Sequence, residues 1–479
     1  MKIKIILLLT VLVVSASYGQ KKVKAWTLRE CVEYALENNI SIKQSELNVD
    51  NAAINKVDAI GNFLPTINGG ASHSWNIGLN QNITTGILEN TTTQFTSASL
   101  NLGVNIFDGL RNINRLRRSN LSILASHYQL SDMKDDISLF VANAYLQVLF
   151  NKETLNVVNS QYSISKQDLE RTKALADNGV VPRGDLLEIE ATIANQEQQV
   201  INAENALRLS KISLAQLLLI DNYDEFDVAE EDYIIPTSNV ITVDPRVILE
   251  KALEFRNDIK LSETNVEIAE SDLKISKGAL MPTLNGFYGY SARASYSDQI
   301  IGGEIDPDNP TNEIGFLASD PTQAVLAPNI RPITGSPDGI FSQFSRNDGH
   351  SFGLQLNVPI FNGLSARNNV KRNRISVERA NYQFEQDKLD LENTINQVWN
   401  DARNAFKTYE AANKTVAARR LAYEYAKERF NVGLMNSFDF SQAQSRLDNS
   451  EAELIRAKYD YIFKLKVLEF YFGIPIDEL

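Results

Sequence analysis

The chain has 479 residues, a formal charge of −13 and one cysteine. Its acidic excess argues against nucleic acid as a partner, the lone Cys31 rules out an intrachain disulfide framework, and the length allows two or three domains. No stretch after the amino terminus reaches the roughly 18 uninterrupted apolar residues that a membrane helix needs, so residence in a membrane would have to rest on strands.

At the amino terminus, Lys2 and Lys4, the apolar run from Ile5 to Val14 and the small-residue exit Ser17-Tyr18-Gly19 predict an export signal over residues 1–19. Its removal deletes two lysines and no acid, which leaves a charge of −15. No cysteine stands near the exit, so lipid attachment through a cysteine is not expected. The acidic excess reads first as surface solvation and second as an acidic pore lining.

An internal repeat then organises the chain. Ala35-Leu36-Glu37, Ile42-Lys43, Ser45-Glu46, Asn48-Val49 and Ala52 return as Ala252-Leu253-Glu254, Ile259-Lys260, Ser262-Glu263, Asn265-Val266 and Ala269, a constant offset of 217 that continues from Gly61 to Gly278 and from Pro65 to Pro282. A second block places Ile106-Phe107-Asp108-Gly109-Leu110 opposite Ile360-Phe361-Asn362-Gly363-Leu364, and that offset of 254 also aligns Gly179 with Gly433 and Asp185 with Asp439. The second copy therefore carries 37 extra residues in one place (254 less 217), which the Pro-, Gly-, Asn- and Asp-rich stretch 291–350 marks as a loop. The division is 20–220 for the first repeat, 221–246 for an acidic link and 247–479 for the second repeat.

Each repeat holds two strands and several long helices. Ala98, Leu100, Leu102, Val104 and Ile106 alternate with polar or small residues, as do Phe352, Leu354, Leu356, Val358 and Ile360. Each run is close to the roughly 9–11 residues that a tilted strand needs to span a bilayer. Thr66 to Trp75 and Thr283 to Ser291 are their weaker partners. From the pattern alone, a soluble sheet and a barrel stand level, and the export signal favours the barrel. Four strands cannot close a wide lumen, since barrels of about 8 strands are filled by side chains, so several chains must share one barrel.

The helices are predicted over Thr27–Phe63, Asp108–Ala176 and Asp185–Leu219, and again over Val247–Met281, Asn362–Arg429 and Asp439–Phe472, with Thr27 and Glu30 as a capping box. The longest would be rods of roughly 100 Å. Leu186, Ile193, Val200, Leu207 and Leu214 form a seven-residue stripe, repeated by Phe440, Leu447, Leu454, Tyr461 and Leu468, so the helices pack as coiled-coil hairpins.

With Leu28 to Asn39 as a first-helix signature, Leu64-Pro65 and Met281-Pro282 before strands, the Phe-Asp/Asn-Gly-Leu strand exits and the hairpin turns Asn178-Gly179-Val180 to Asp185 and Phe430-Asn431-Val432-Gly433-Leu434 to Asp439, the chain resembles the TolC-like outer-membrane efflux family over essentially all of its mature length. That resemblance implies a mainly α protein with membrane β: a duplicated unit of strand pair and long coiled-coil helices, assembled as a homotrimer whose twelve-stranded β-barrel continues into a periplasmic α-helical tunnel. It implies an outer-membrane conduit that contacts lipid and works with a periplasmic adaptor and an inner-membrane pump, without a cofactor. It places adaptor docking at the tip residues Gly179, Val180, Pro182, Gly433 and Leu434, and a channel aperture at Asp185, Asp439 and Gln442. Gly suits the reversal by its tolerance of positive φ, and Pro182 suits the start of the returning helix. Capping of that helix is the preferred reading for Asp185, whereas capping and an acidic ring stand level for Asp439. Gln442 replaces a second acidic ring position of the family.

Two other classes compete. An enzyme would need a constellation that is missing: there is no Ser-His-Asp set, phosphate loop or zinc spacing, and His73, His127 and His350 are scattered. A periplasmic coiled-coil adaptor or tether would use the hairpins but has no need of strand pairs with apolar outer faces.

Overall fold

The computed structural model describes residues 25–81, 86–179, 181–223, 225–229 and 239–474. In chain order the elements are β1 (Ala25–Trp26), α1 (Leu28–Asn38), α2 (Ile40–Gly61), β2 (Thr66–Gln81), β3 (Leu88–Phe107), α3 (Arg111–Asp177), α4 (Arg183–Leu217), β4 (Asp227–Val228), a 3-10 turn (Asn239–Thr242), α5 (Pro245–Phe255) and α6 (Asn257–Gly278). They continue as β5 (Thr283–Ser295), β6 (Gln299–Ile305), β7 (Thr311–Leu317), β8 (Asp320–Pro328), β9 (Ile330–Gly335), α7 (Ile340–Arg346), β10 (Asp348–Asn357), α8 (Ser365–Asn431) and α9 (Ser437–Phe472). The export signal expected over residues 1–19 lies outside the described residues.

The duplication is reproduced element by element. α1 and α5 have 11 residues each, α2 and α6 have 22, and α3 and α8 have 67. Thr27 and Glu30 make the capping box, with the Glu30 amide donating to Thr27 Oγ1 at 3.2 Å and the Thr27 amide to Glu30 Oε2 at 3.0 Å. The continuous helices expected over Thr27–Phe63 and Val247–Met281 are each broken. Asn39 (φ −60°, ψ 132°) and Arg256 (φ −58°, ψ 129°) are extended, and Asn39 Oδ1 recaps the next helix by accepting from the Ser41 amide at 2.8 Å. Periodicity persists across such a break, so the apolar pattern alone conceals it.

The strand exits share a second device. Gly109 and Leu110 (φ 72° and 64°), like Gly363 and Leu364 (φ 62° and 67°), are successive left-handed residues. Asp108 then accepts from the Asn112 amide at 3.0 Å, and Asn362 Oδ1 from the Ala366 amide at 3.4 Å. The Asp/Asn-Gly-Leu signature is thus a strand-to-helix corner whose carboxylate or amide satisfies a free helical N–H.

Two compact units interleave along the chain. Among the described residues, those up to Ala53, within Asn120–Ala269 and from Ser376 onward form the helical unit, and those within Ile54–Ser119 and Glu270–Ile375 form the other. In the helical unit, Cys31, Val141, Tyr145, Val148 and Leu214 are fully buried in one core, and Ile248, Ala252, Ala402 and Leu468 in a second. β1 pairs in parallel with β4, and Lys152 and Lys211 reach Asp227 at 3.2 and 2.9 Å.

The break at Arg256 is a charged joint. Its guanidinium is 7% exposed, lies over Phe470 and Tyr471 at 5.3 and 5.1 Å, and is held by Asp258 at 2.8 Å. From α3, Asp132 stands 3.8 Å away, and Asp135 accepts from Asn257 Nδ2 at 3.0 Å. Burial, followed by the neighbouring carboxylates Asp258 and Asp136, pushes the Asp132 carboxyl up from 3.8 to about 6, against the pull of Arg256. A carboxyl raised on folding adds stability that is complete below its unfolded pKa and is lost as pH rises through about 6. Asp132→Asn is therefore expected to raise the melting temperature above about pH 7 and to flatten its rise on acidification, read by circular dichroism across pH. An unchanged pH profile would refute this account of the joint.

In the second unit, β10, β5, β3 and β2 form an antiparallel four-stranded sheet in that order. The strands differ from expectation at their ends: β2 runs on past Trp75 to Gln81, β3 begins at Leu88, and β10 spans Asp348–Asn357 rather than Phe352–Ile360. Pro359 has no N–H to donate, so the ladder stops short of it. Phe352, Tyr288, Leu102 and Ile67 stand in one row across the sheet, while the adjacent row is Ser351, Gly289, Asn101 and Asn68. One face is therefore apolar and the other polar, and Phe352, Leu354, Leu356 and Ile67 of the apolar face are all exposed.

The 291–350 loop is corrected by the structure. β6 pairs with β9 and β7 with β8, nested into one hairpin closed at Ala318-Ser319, and α7 follows. The hairpin, Gln299 to Gly335, accounts for the 37-residue excess. Ile300, Ile305, Val325, Ile330 and Ile333 supply the β-branched residues that strands favour, among turn formers that had masked them. At the base of the sheet, backbone meets backbone: a Cβ added to Gly109 would strike the Gly278 carbonyl oxygen, and one on Gly278 would strike that of Gly109. Gly278→Leu is expected to cost about 1–3 kcal/mol through this overlap, seen as a lower unfolding midpoint.

Candidate functional site at the hairpin tips

Both turns are built the same way. Gly179 and Gly433 take φ of 72° and 74°, and the Leu434 amide closes the second turn on the Arg429 carbonyl at 2.8 Å. Pro182 is the cap residue of α4 with extended dihedrals, φ −65° and ψ 148°, and gives no side-chain bond. Val180 lies outside the described residues. Val432, Leu434 and Phe438 are 62–70% exposed, an apolar edge on an otherwise polar tip. Beneath it Phe430 stacks on Phe440 with centroids 4.7 Å apart, and Ile189 and Ala426 complete the cluster.

The acidic positions part company. Asp185 sits in the first turn of α4, but its Oδ1 accepts from the buried Ser437 hydroxyl at 2.7 Å. It thereby ties one hairpin turn to the other. The α9 cap is Asn436, whose side chain accepts from the Asp439 amide at 2.8 Å. The Asp439 carboxylate is exposed. Gln442 is exposed on the wall of a groove of about 880 Å³ between α3, α4 and α9, lined by side chains that include Phe438, Gln196, Gln444 and Asp448.

Further from the tip the helices enclose polar groups. Gln196 Nε2 donates to Asp448 Oδ2 at 3.2 Å, and Gln444 Nε2 to Ser165 Oγ at 2.7 Å. Burial lifts the Asp448 carboxyl to about 6 despite the Gln196 bond, and burial beside Asp168 and Asp448 lifts the Tyr423 phenol. Sequence reasoning missed this layer. Ile189, Gln196, Ala203 and Ser210 are all buried, three residues on from the Leu186 stripe, so α4 packs through a second seam that turns small and polar beyond Ile189. A polar residue at heptad spacing was the available signal.

Removing either partner of the Asp185–Ser437 bond is expected to cost about 1 kcal/mol, with a coupling of about 0.5–1.5 kcal/mol in a cycle of Asp185→Asn and Ser437→Ala. Independent effects in denaturant titrations would show that the bond carries no energy.

A family model described as "Outer membrane efflux protein" matches residues 31–218 and 248–473. The chain is 22% identical to the outer membrane protein TolC of Escherichia coli (strain K12), over 92% of its own length and 80% of that protein's. It is 21% identical to the outer membrane efflux protein BepC of Brucella suis, over 91% and 83%. The fold is shared with solved structures: CusC at TM-score 0.72, 16% identity and 94% and 92% coverage, and the outer membrane protein VceC of Vibrio cholerae at 0.72, 16%, and 93% and 96%. Since the family match runs through both repeats and most of the sequence, the chain belongs to the outer membrane efflux protein family.

Proposed function

We propose that three copies of this outer-membrane channel subunit close one twelve-stranded barrel and one periplasmic helical tunnel, a passive duct for solutes delivered by an inner-membrane pump through a periplasmic adaptor. The observation that carries this reading is the four-stranded sheet, with one exposed apolar face, one polar face and, among the described residues, an edge strand on either side whose outer ladder has no partner. Lipid supplies no hydrogen-bond partners, so such a sheet persists in a bilayer only when its edges are closed into a ring. With the order β10-β5-β3-β2 all antiparallel, β10 and β2 run in opposite directions and a head-to-tail ring continues the alternation. The apolar face then meets lipid and the polar face lines the lumen.

In this reading the described residues perform no bond chemistry; they shape a passage. The turn at Gly433 presents Val432 and Leu434 to the adaptor, beside the matching turn at Gly179. Asp439 contributes one carboxylate per copy to the aperture and Gln442 a neutral amide, so cations are attracted at a single acidic level. A periplasmic tether is the weaker reading, because it leaves the apolar sheet face without a use.

Purified in detergent, the protein is expected to sediment as a trimer and to form ion-conducting channels in planar bilayers; a detergent-free soluble monomer would sink the proposal. Asp439→Asn is expected to lower cation selectivity by a few-fold while leaving the oligomer intact, measured from reversal potentials in a salt gradient. Deleting 299–335 is expected to leave export and trimer intact, assayed by solute accumulation in cells and by native mass, since the sheet closes its hairpins without those residues.

A further inference from the structure

We infer that the contact between the two repeats inside one chain is repeated between chains, which fixes the register at which β10 of one copy pairs with β2 of the next. This rests on the ring reading above and adds residue-level pairing to it.

The two repeats pair their strands in the same register. Within the first repeat Thr66 pairs with Gly103, and within the second Thr283 pairs with Asn357. Those are the same positions, displaced by 217 and 254. The inter-repeat joint pairs Ala98 with Ala292, Leu100 with Tyr290 and Leu102 with Tyr288. Moving β3 to its counterpart β10 and β5 to its counterpart β2 converts these pairs into Phe352 opposite Trp75, Leu354 opposite His73 and Leu356 opposite Ala71 of the neighbouring copy. The intervening positions give Gln355 opposite Ser72 and Gly353 opposite Ser74. Because both repeats alternate in the same phase, this register keeps the faces sorted. The row of Phe352 and Trp75 extends the apolar face, and Gln355 and Ser72 extend the polar one, whereas a one-residue slip would cross the two.

A second observation agrees. Gly109 and Gly278 touch backbone to backbone within the chain, yet their repeat counterparts Gly363 and Gly61 both face open space in a single copy. At the inferred joint Gly363 of one copy abuts Gly61 of the next. Gly363 keeps its positive φ for the strand-exit corner, while Gly61 ends a helix, and its lack of a side chain is explained by this contact.

The test is disulfide trapping in full-length protein carrying Cys31→Ala. Gln355→Cys with Ser72→Cys places two thiols at directly opposed positions within disulfide reach, and covalent dimers and trimers are expected on non-reducing gels. Gln355→Cys with Gly70→Cys, or with Ser74→Cys, samples slips of two residues, which keep the faces sorted, and is expected to leave the chains uncrosslinked. Cross-linking of a slipped pair in place of Ser72 overturns the register, as does a trimer that no pair cross-links. A chain that stays monomeric in detergent overturns the ring itself. Gly61→Leu is expected to lower the dissociation temperature of the oligomer while the far-ultraviolet spectrum is unchanged; an oligomer of unaltered heat resistance removes the Gly61–Gly363 contact.

Discussion

A sheet that faces lipid must satisfy every backbone N–H and C=O by itself, and the rest of this molecule is arranged around that requirement. Four strands give each chain three internal ladders and two open edges. In water the edges would be an aggregation hazard; in hydrocarbon each unpaired group costs several kcal/mol. The remedy is another chain, which makes the oligomer a condition of membrane residence. Alternation along β3 and β10 then separates a wall for lipid from a wall for cargo.

Duplication supplies the second economy. One unit of broken helix, strand pair and long hairpin is used twice, with equal helix lengths and the same corner at Asp108 and Asn362. Where the copies differ, the difference is informative. The first break is made by neutral Asn39 and the second by buried Arg256 with carboxylates from α3 around it. Breaking a helix does not require those charges, so the joint at Arg256 adds a pH-sensitive tie between repeats. The hairpin at 299–335 is the other departure, and it lies between two strands whose pairing needs none of it.

At the tips, the structure rests on backbone shape and a few polar groups. Glycines at positive φ turn the helices, apolar side chains are left at the edge, and Asp185 is taken up by Ser437. The Asp439 carboxylate, by contrast, is left exposed.

Much of this was written locally. Alternation gave the strands, heptads gave the hairpins, Thr27 and Glu30 gave a helix start, and the repeat offsets located both the turns and the 37-residue surplus. These features depend on neighbours a few residues apart, so a single chain of letters contains them. Tertiary structure decided what depends on distant groups. Asn39 and Arg256 interrupt helices whose periodicity never falters, Asp185 chooses Ser437 across 252 residues, and Gln196 is buried against Asp448 rather than exposed. The loop composition of 291–350 concealed a ladder because strand pairing is decided by the partner strand. The sequence determined the parts and their duplication; only the fold decided which of them meet, because a contact's free energy belongs to both surfaces and neither is visible from one of them alone.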